Sequence, residues 1–245
     1  MHISRLIKCC AALLMLAGCA QPLSLPLIAH TVRVTEHPPC DWTVNAQRLK
    51  ELGCSQDLQA LCPQLAALGC DAITTPGFYL GGLQPPYPLV ECIHTSGTPP
   101  DKDHFRQPGG LDQSYRSFAV FQNGTYRLII KKSEFRELFA PVESADEAIS
   151  YATAMTSLEA RYDFDPSAPV EYLVKVLEET HAEETPDGYL VLLFDISGGK
   201  MGCGPHTAFA VKVLVTPDGD VRQVSRQAIY KHQSCFDFGA LKLED

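Results

Sequence analysis

Apolar and polar positions along this chain change period several times, and each change marks an element. The clearest helical spacing follows Ser144-Ala145-Asp146-Glu147, a capping-box pattern, after which Ala148, Ile149, Ala152 and Met155 fall on one face. Val170, Leu173, Val174 and Leu177 repeat that spacing beyond Asp165-Pro166, with Pro169 near the first turn, and predict a second helix. Ser133–Phe139 accounts for one or two further helical turns. Strand patterns alternate with these. Pro88–His94 reads as a short strand and Tyr189–Phe194 as a continuously apolar one. Ser117–Gln122 and Thr125–Lys131 flank Asn123-Gly124, the strongest short hairpin signal. Thr207–Val215 and Val221–Tyr230 form a longer hairpin around Pro217-Asp218-Gly219-Asp220. Helices followed by an antiparallel meander imply a sheet with helices on one face.

The N-terminal half is patterned differently. Thr43 is placed to cap a helix with Val44, Leu49 and Leu52 on one face and Gly53 as its stop. A second helical segment runs from Ser55 to Gly69, with Pro63 forcing a kink or a break. The two ends share a form, Leu49-Lys50-Glu51-Leu52-Gly53-Cys54 and Leu65-Ala66-Ala67-Leu68-Gly69-Cys70. In each, leucines at i and i+3 face one core, glycine permits a left-handed turn, and cysteine can staple the chain beyond it. The expected fold class is therefore α+β: a small disulfide-stapled helical segment, then an antiparallel sheet with helices on one face. The expected divisions are a leader over 1–18, an anchor and tether over 19–39, a Cys-rich, mostly helical segment over 40–94, a linker over 95–111 and an α+β domain over 112–245. The tether contains four prolines, with a short strand expected at Thr31–Thr35.

The first nineteen residues carry an address. Arg5 and Lys8 precede an apolar run from Cys9 to Leu16. Those eight residues are far short of the ~20 that span a bilayer, so the run reads as the core of an export signal. It ends in Leu16-Ala17-Gly18-Cys19, which resembles the lipobox of bacterial lipoproteins. The resemblance implies cleavage before Cys19 and lipid attachment to it, by a diacylglyceryl thioether and an N-linked, palmitate-type acyl chain. More than one acyl chain is what makes such an anchor stable. Ala20 after the cysteine, in place of aspartate, resembles sorting to the outer membrane.

Cleavage takes Arg5 and Lys8 with it, so 20 basic against 29 acidic side chains become 18 against 29, a charge of −11. That balance argues against nucleic acid as a partner and against electrostatic binding to anionic headgroups, so membrane attachment rests on the lipid at Cys19 and not on charge. A hydrophobic content of 45% is ordinary for a folded domain with a real core.

Cys9 and Cys10 leave with the leader, and seven cysteines lie beyond Cys19: Cys40, Cys54, Cys62, Cys70, Cys92, Cys203 and Cys235. In an oxidising compartment they read as disulfides, and an odd number leaves one thiol over unless it pairs between molecules. Cys203-Gly204-Pro205-His206 precedes the long hairpin and His232-Gln233-Ser234-Cys235 comes after it. Counting outward from the turn brings Cys203 opposite Cys235, and His206 opposite His232, to within a residue or two. Three chemistries fit: a Cys203–Cys235 bridge, a tetrahedral zinc site of both thiolates and both imidazoles, or a Cys203 nucleophile with His206 as base. An oxidising compartment favours the bridge and no cofactor. Glu178-Glu179-Thr180-His181-Ala182-Glu183-Glu184 reads as a charged, solvated loop that could offer hard ligands to a cation.

The chain holds no nucleophile elbow, no His-Glu-x-x-His, no phosphate loop and no dinucleotide fingerprint. The order of elements over residues 144–230 is similar to that of cystatin-like and PepSY-like domains, which implies a helix packed across an antiparallel sheet. The expected function is that of a non-enzymatic envelope lipoprotein that binds or scaffolds an unidentified protein or small ligand. The alternative is a metal-dependent or thiol enzyme built on Cys203, His206, His232 and Cys235.

Overall fold

Three sets of strands organise the polypeptide, seen in a computed structural model that describes residues 29–39, 47, 49–51, 63–74, 79–94, 102–106, 115–165, 170–197 and 206–232. In chain order the elements are β1 (Ala29–His30), α1 (Pro63–Ala66), β2 (Ala72–Thr74), β3 (Leu89–His94), β4 (Phe105–Arg106), β5 (Tyr115–Gln122), β6 (Thr125–Ile129), α2 (Lys132–Phe139), α3 (Ala145–Met155), β7 (Glu171–Tyr172), β8 (Val176–Leu177), β9 (Ala182–Thr185), β10 (Gly188–Ser197), β11 (His206–Val215) and β12 (Val221–His232). A first antiparallel sheet has the order β2-β3-β5-β4, with β6 also on β5. The second runs β7-β12-β11-β10-β9, and β1 pairs in parallel with β8. The expected lipid-attachment site at Cys19, together with Cys40, Cys54, Cys62, Cys203 and Cys235, lies outside the described residues.

Both expected hairpins form. At the β5–β6 turn Asn123 and Gly124 take positive φ of 52° and 84°, the left-handed pair that a two-residue hairpin needs. The long hairpin pairs Val215 with Val221 beside the turn and His206 with His232 at its mouth. Register shifts between Ala208 and Phe209 and between Lys212 and Val213 leave Val224 and Ile229 as extra residues on β12. Those two bulges supply the residue or two that counting from the turn left over.

One core joins the two sheets. Phe118, Val120 and Ile129 from the first meet Val191, Leu193, Val211, Val213 and Val215 from the second, with α2 and α3 between them. Phe105, Phe118, Phe135, Phe139 and Tyr151 form its aromatic centre, with ring centroids 4.4 to 5.7 Å apart along the chain of contacts. Helix α3 is buried continuously from Glu147 to Met155, not on a single face. Small side chains make this possible, because Ala148, Ser150, Ala152 and Ala154 admit close neighbours on every side. Gly82 lies so near that an added Cβ would sit 2.4 Å from the Asp146 carbonyl oxygen, and Ser150 Oγ bonds both the Gly82 amide and the Tyr79 carbonyl.

The expected fold class needs correction: the described protein is mostly antiparallel sheet, not a helical segment followed by α+β. Helix is present at residues 47 and 49–51 and in α1, where Pro63 is the first residue, the position that tolerates its missing N–H. Gly69 ends that helical turn at φ 85°, and Cys70 beyond it bridges to Cys92. The stapled segment then continues as strands. β3 pairs with β5 along its whole length, and Phe105 pairs with Arg116, so chain on either side of the expected 95–111 linker shares one sheet.

The helix expected over Val170–Leu177 is extended chain, containing β7 and β8. Its apolar residues do point to a core, but that core is the second sheet's outer face: Val170, Val174 and Leu177 pack with Leu192, Phe194, Ala208 and Ile229. Backbone partners across the sheet, such as Leu173 N–H to the Ile229 carbonyl at 2.8 Å, replace the helical ladder. The second sheet is thus covered on both faces, which explains why Tyr189–Phe194 reads as an uninterrupted apolar run. The strand expected at Thr31–Thr35 is instead the short β1 just before it.

Candidate functional site

The mouth of the long hairpin is where the sequence concentrates its candidate chemistry. His206 and His232 stand directly opposite each other, and both are buried, at 4% and 8% exposure. Residues opposed in an antiparallel pair project to the same face, so the two imidazoles are neighbours. They share the sheet face of Ala208 and Tyr230, the end of the outer apolar core. Of the four candidate residues, the structure therefore brings together the two histidines, while Cys203 and Cys235 are outside the described residues. Among the described residues, no group of three or more His, Cys, Asp or Glu side chains is arranged to hold a metal ion.

The acidic run Glu178–Glu184 is not a solvated loop. Glu179 and Thr180 are wholly buried, and β9 begins at Ala182. The Glu179 carboxylate accepts from the Val34 amide at 2.7 Å and from the Asp163 amide at 3.2 Å, with Arg33 Nε 3.5 Å away. The Glu179 amide in turn donates to the Val32 carbonyl. Thr180 ties Arg161 through both its amide and its hydroxyl. The Glu179 oxygens thus sew three chain segments together. Glu183 and Glu184 remain exposed on the edge strand β9, where charge discourages further pairing.

Sequence reasoning missed a buried ion pair beside α3. Arg116, on β5, lies 3.1 Å from Glu91 on β3 and donates to the carbonyls of Thr153, Ala154 and Thr156 at the C-terminus of α3. A helix end leaves its last carbonyls without intrahelical partners, and a guanidinium satisfies several at once. Nearby, His94 stacks on Tyr115 with ring centroids 4.4 Å apart, lies 2.7 Å from Ser117 Oγ and 3.4 Å from Cys92 Sγ. Burial pushes the His94 pKa below its ordinary value, with the Asp71 carboxylate pulling it part of the way back. No local signal marks these residues. An arginine and a glutamate in two strands read as solvent-facing positions until the strands are paired.

Two concavities stand out among those of the described residues. A cleft of about 700 Å³ lies between the start of α2, the end of α3 and the β11–β12 turn. Phe105, Met155 and Leu158 supply apolar lining, and Lys102, Arg136 and Asp220 supply charge. Its walls are tied: Arg136 bonds Asp218 and Asp220, and Tyr151 Oη donates to the Gly219 carbonyl. A groove of about 430 Å³ lies on the outer face of the second sheet, bounded by the Leu173–Glu178 stretch. No known protein family, curated protein or solved structure matches this chain.

Proposed function

We propose that this protein is a lipid-anchored component of the bacterial cell envelope, sorted to the outer membrane, whose folded body binds or scaffolds a partner without turnover. The observation that carries the reading is the leader, Arg5 and Lys8 before the Cys9–Leu16 run and the Leu16-Ala17-Gly18-Cys19 ending. No helix among the described residues is long and apolar enough to cross a membrane. The buried charge of the described body holds its strands and helix in place. Glu91, Arg116, Glu147 and Glu179 are engaged with backbone groups or with each other, as structural residues are. The cleft beside α2, part apolar and part charged, has the lining of a site for a small amphiphilic ligand or a peptide.

A second reading keeps a specific observation in its favour: the buried, opposed His206 and His232 would supply two of four ligands to a zinc ion, with Cys203 and Cys235 as the others. Intact mass of the chain purified from a bacterial envelope tests the first reading. We expect the mass of a chain beginning at Cys19 and carrying acyl groups, and a Cys19→Ala variant without them. An unmodified wild-type chain would sink the anchor. Zinc content and a peptide map of the same sample separate the two readings. A Cys203–Cys235 bridge without zinc supports the binding protein, whereas one zinc per chain, lost in His206→Ala, supports the metal site.

A further inference from the structure

The tether meets the body at a defined place. Ala29 and His30 pair in parallel with Val176 and Leu177, and the Ala29 amide donates to the Lys175 carbonyl at 3.0 Å. The buried Glu179 carboxylate then holds the Val34 amide, so the chain is fixed to the body at residues 29, 30 and 34. Residues 20–28 separate that point from Cys19. Nine residues reach at most about 32 Å when fully extended.

The point of attachment is also the rim of the 430 Å³ groove. Val176, the partner of Ala29, lines it, as does Leu173. Among the described residues only four large apolar side chains are exposed, and these are two of them, at 41% for Leu173 and 40% for Val176. A third, Val224 at 52%, is next to Ser225 on the opposite wall. Lys175, Glu178 and Lys212 supply the charged groups of the groove, two positive and one negative, in a protein that is acidic as a whole.

Resting on the anchored reading above, we propose that the Leu173–Val176 rim is the membrane-facing surface of the protein, with Leu173 and Val176 seated at the headgroup–acyl boundary. Isolated, two side chains would hold poorly. Tethered, they need only a weak affinity, because a short linker raises the effective concentration of the surface to the millimolar range. The 700 Å³ cleft, on the other side of the second sheet, would stay open to a partner. The anchor would then orient the body as well as retain it.

The test uses the full acylated chain in vesicles of phosphatidylethanolamine and phosphatidylglycerol containing lipids brominated near the headgroup. The chain has a single tryptophan, Trp42, so Leu173→Trp and, separately, Val176→Trp each add one indole to a constant background. Thr125→Trp at the β5–β6 turn is the control. We expect bromolipid to remove most of the added emission in the two rim variants and little in the control. Chains that float with the vesicles but show equal quenching at all three sites would overturn the docking while leaving the anchor intact. Chains that do not float would overturn both. An acyl or peptide ligand that co-purifies in the groove, with the rim unquenched, would assign the groove to that occupant and overturn the docking.

Discussion

In the first sheet β2 has three residues and β4 two, whereas β10, β11 and β12 of the second have ten, ten and twelve. Short strands make few ladder bonds, and the first sheet adds other restraints: the Cys70–Cys92 bridge between the turn before β2 and the middle of β3, and the Arg116–Glu91 pair across β3 and β5. The second sheet has long ladders and apolar cover on both faces, from α3 inside and from the Val170–Leu177 stretch outside. Its one wholly buried carboxylate, Glu179, holds that outer cover and the N-terminal segment in place. The difference teaches that polar and covalent restraints sit where strand length runs out. Where the ladder is long, the polar restraint across it is an exposed one, Arg226 to Asp195 at 2.8 Å.

The sharpest way to break the comparison is Arg116→Met. It leaves Glu91 buried without its cation and three helix carbonyls without a donor, and removing one partner of a buried pair costs about 3–5 kcal/mol. We expect a loss of that size in urea unfolding. A loss below about 1 kcal/mol would show that the first sheet does not depend on the pair.

The bridge comes next. Cys70 and Cys92 are 22 residues apart, and closing a loop of that order contributes about 3 kcal/mol by constraining the unfolded chain. A Cys70→Ser, Cys92→Ser double variant is expected to lose about 2–4 kcal/mol. Hydrogen exchange would accelerate first in β2 and β3, with β10–β12 protected until global unfolding. Uniform acceleration across both sheets would mean that the core they share makes them one cooperative unit.

Glu179→Gln probes the margin of the second sheet and should cost less, about 1–3 kcal/mol, because the amide retains one acceptor for two backbone donors. Its diagnostic effect is local: proteolysis within residues 29–39 should rise while the rest of the chain stays resistant. Equal resistance in this variant and the wild type would show that β1 alone secures the N-terminal segment.

Those effects separate what the sequence discloses from what it conceals. Turn chemistry is local, so Asn123-Gly124 and the Pro217–Asp220 turn mark both hairpins, and counting from the second turn is enough to put His206 opposite His232. The Ser144 cap also holds, its hydroxyl accepting from the Glu147 amide at 3.2 Å. Spacing without context is what misleads. Val170, Leu173, Val174 and Leu177 fit a helix equally well as an extended strip laid over an apolar sheet, and only the sheet decides between them. Glu179 reads as surface charge because its partners, the amides of Val34 and Asp163, are 145 and 16 residues away. Arg116 is hidden for the same reason.

The smallest expected effect is an acid sensitivity centred on His94 of the first sheet. Burial lowers the His94 pKa from 6.5, so the unfolded chain takes up this proton at a higher pH than the folded one. Stability from the neutral ring is therefore complete above the unfolded value and declines as pH falls from about 6.5 through the folded pKa. Glu147 shifts the opposite way. Burial raises its pKa, so its neutral form is favoured in the fold, and that contribution is lost as pH rises through the raised value. The two are told apart by sign: the carboxyl contribution grows as pH falls, so a loss of stability on acidification reports the histidine. Urea midpoints taken from neutral pH down to about 5.5 should fall in the wild type and hold nearly level in His94→Gln. Asp71→Asn should steepen the wild-type slope, because it removes the charge that favours the protonated ring. If His94→Gln keeps the full slope, the acid sensitivity lies elsewhere, and the His94–Tyr115 stack beside the disulfide is packing alone.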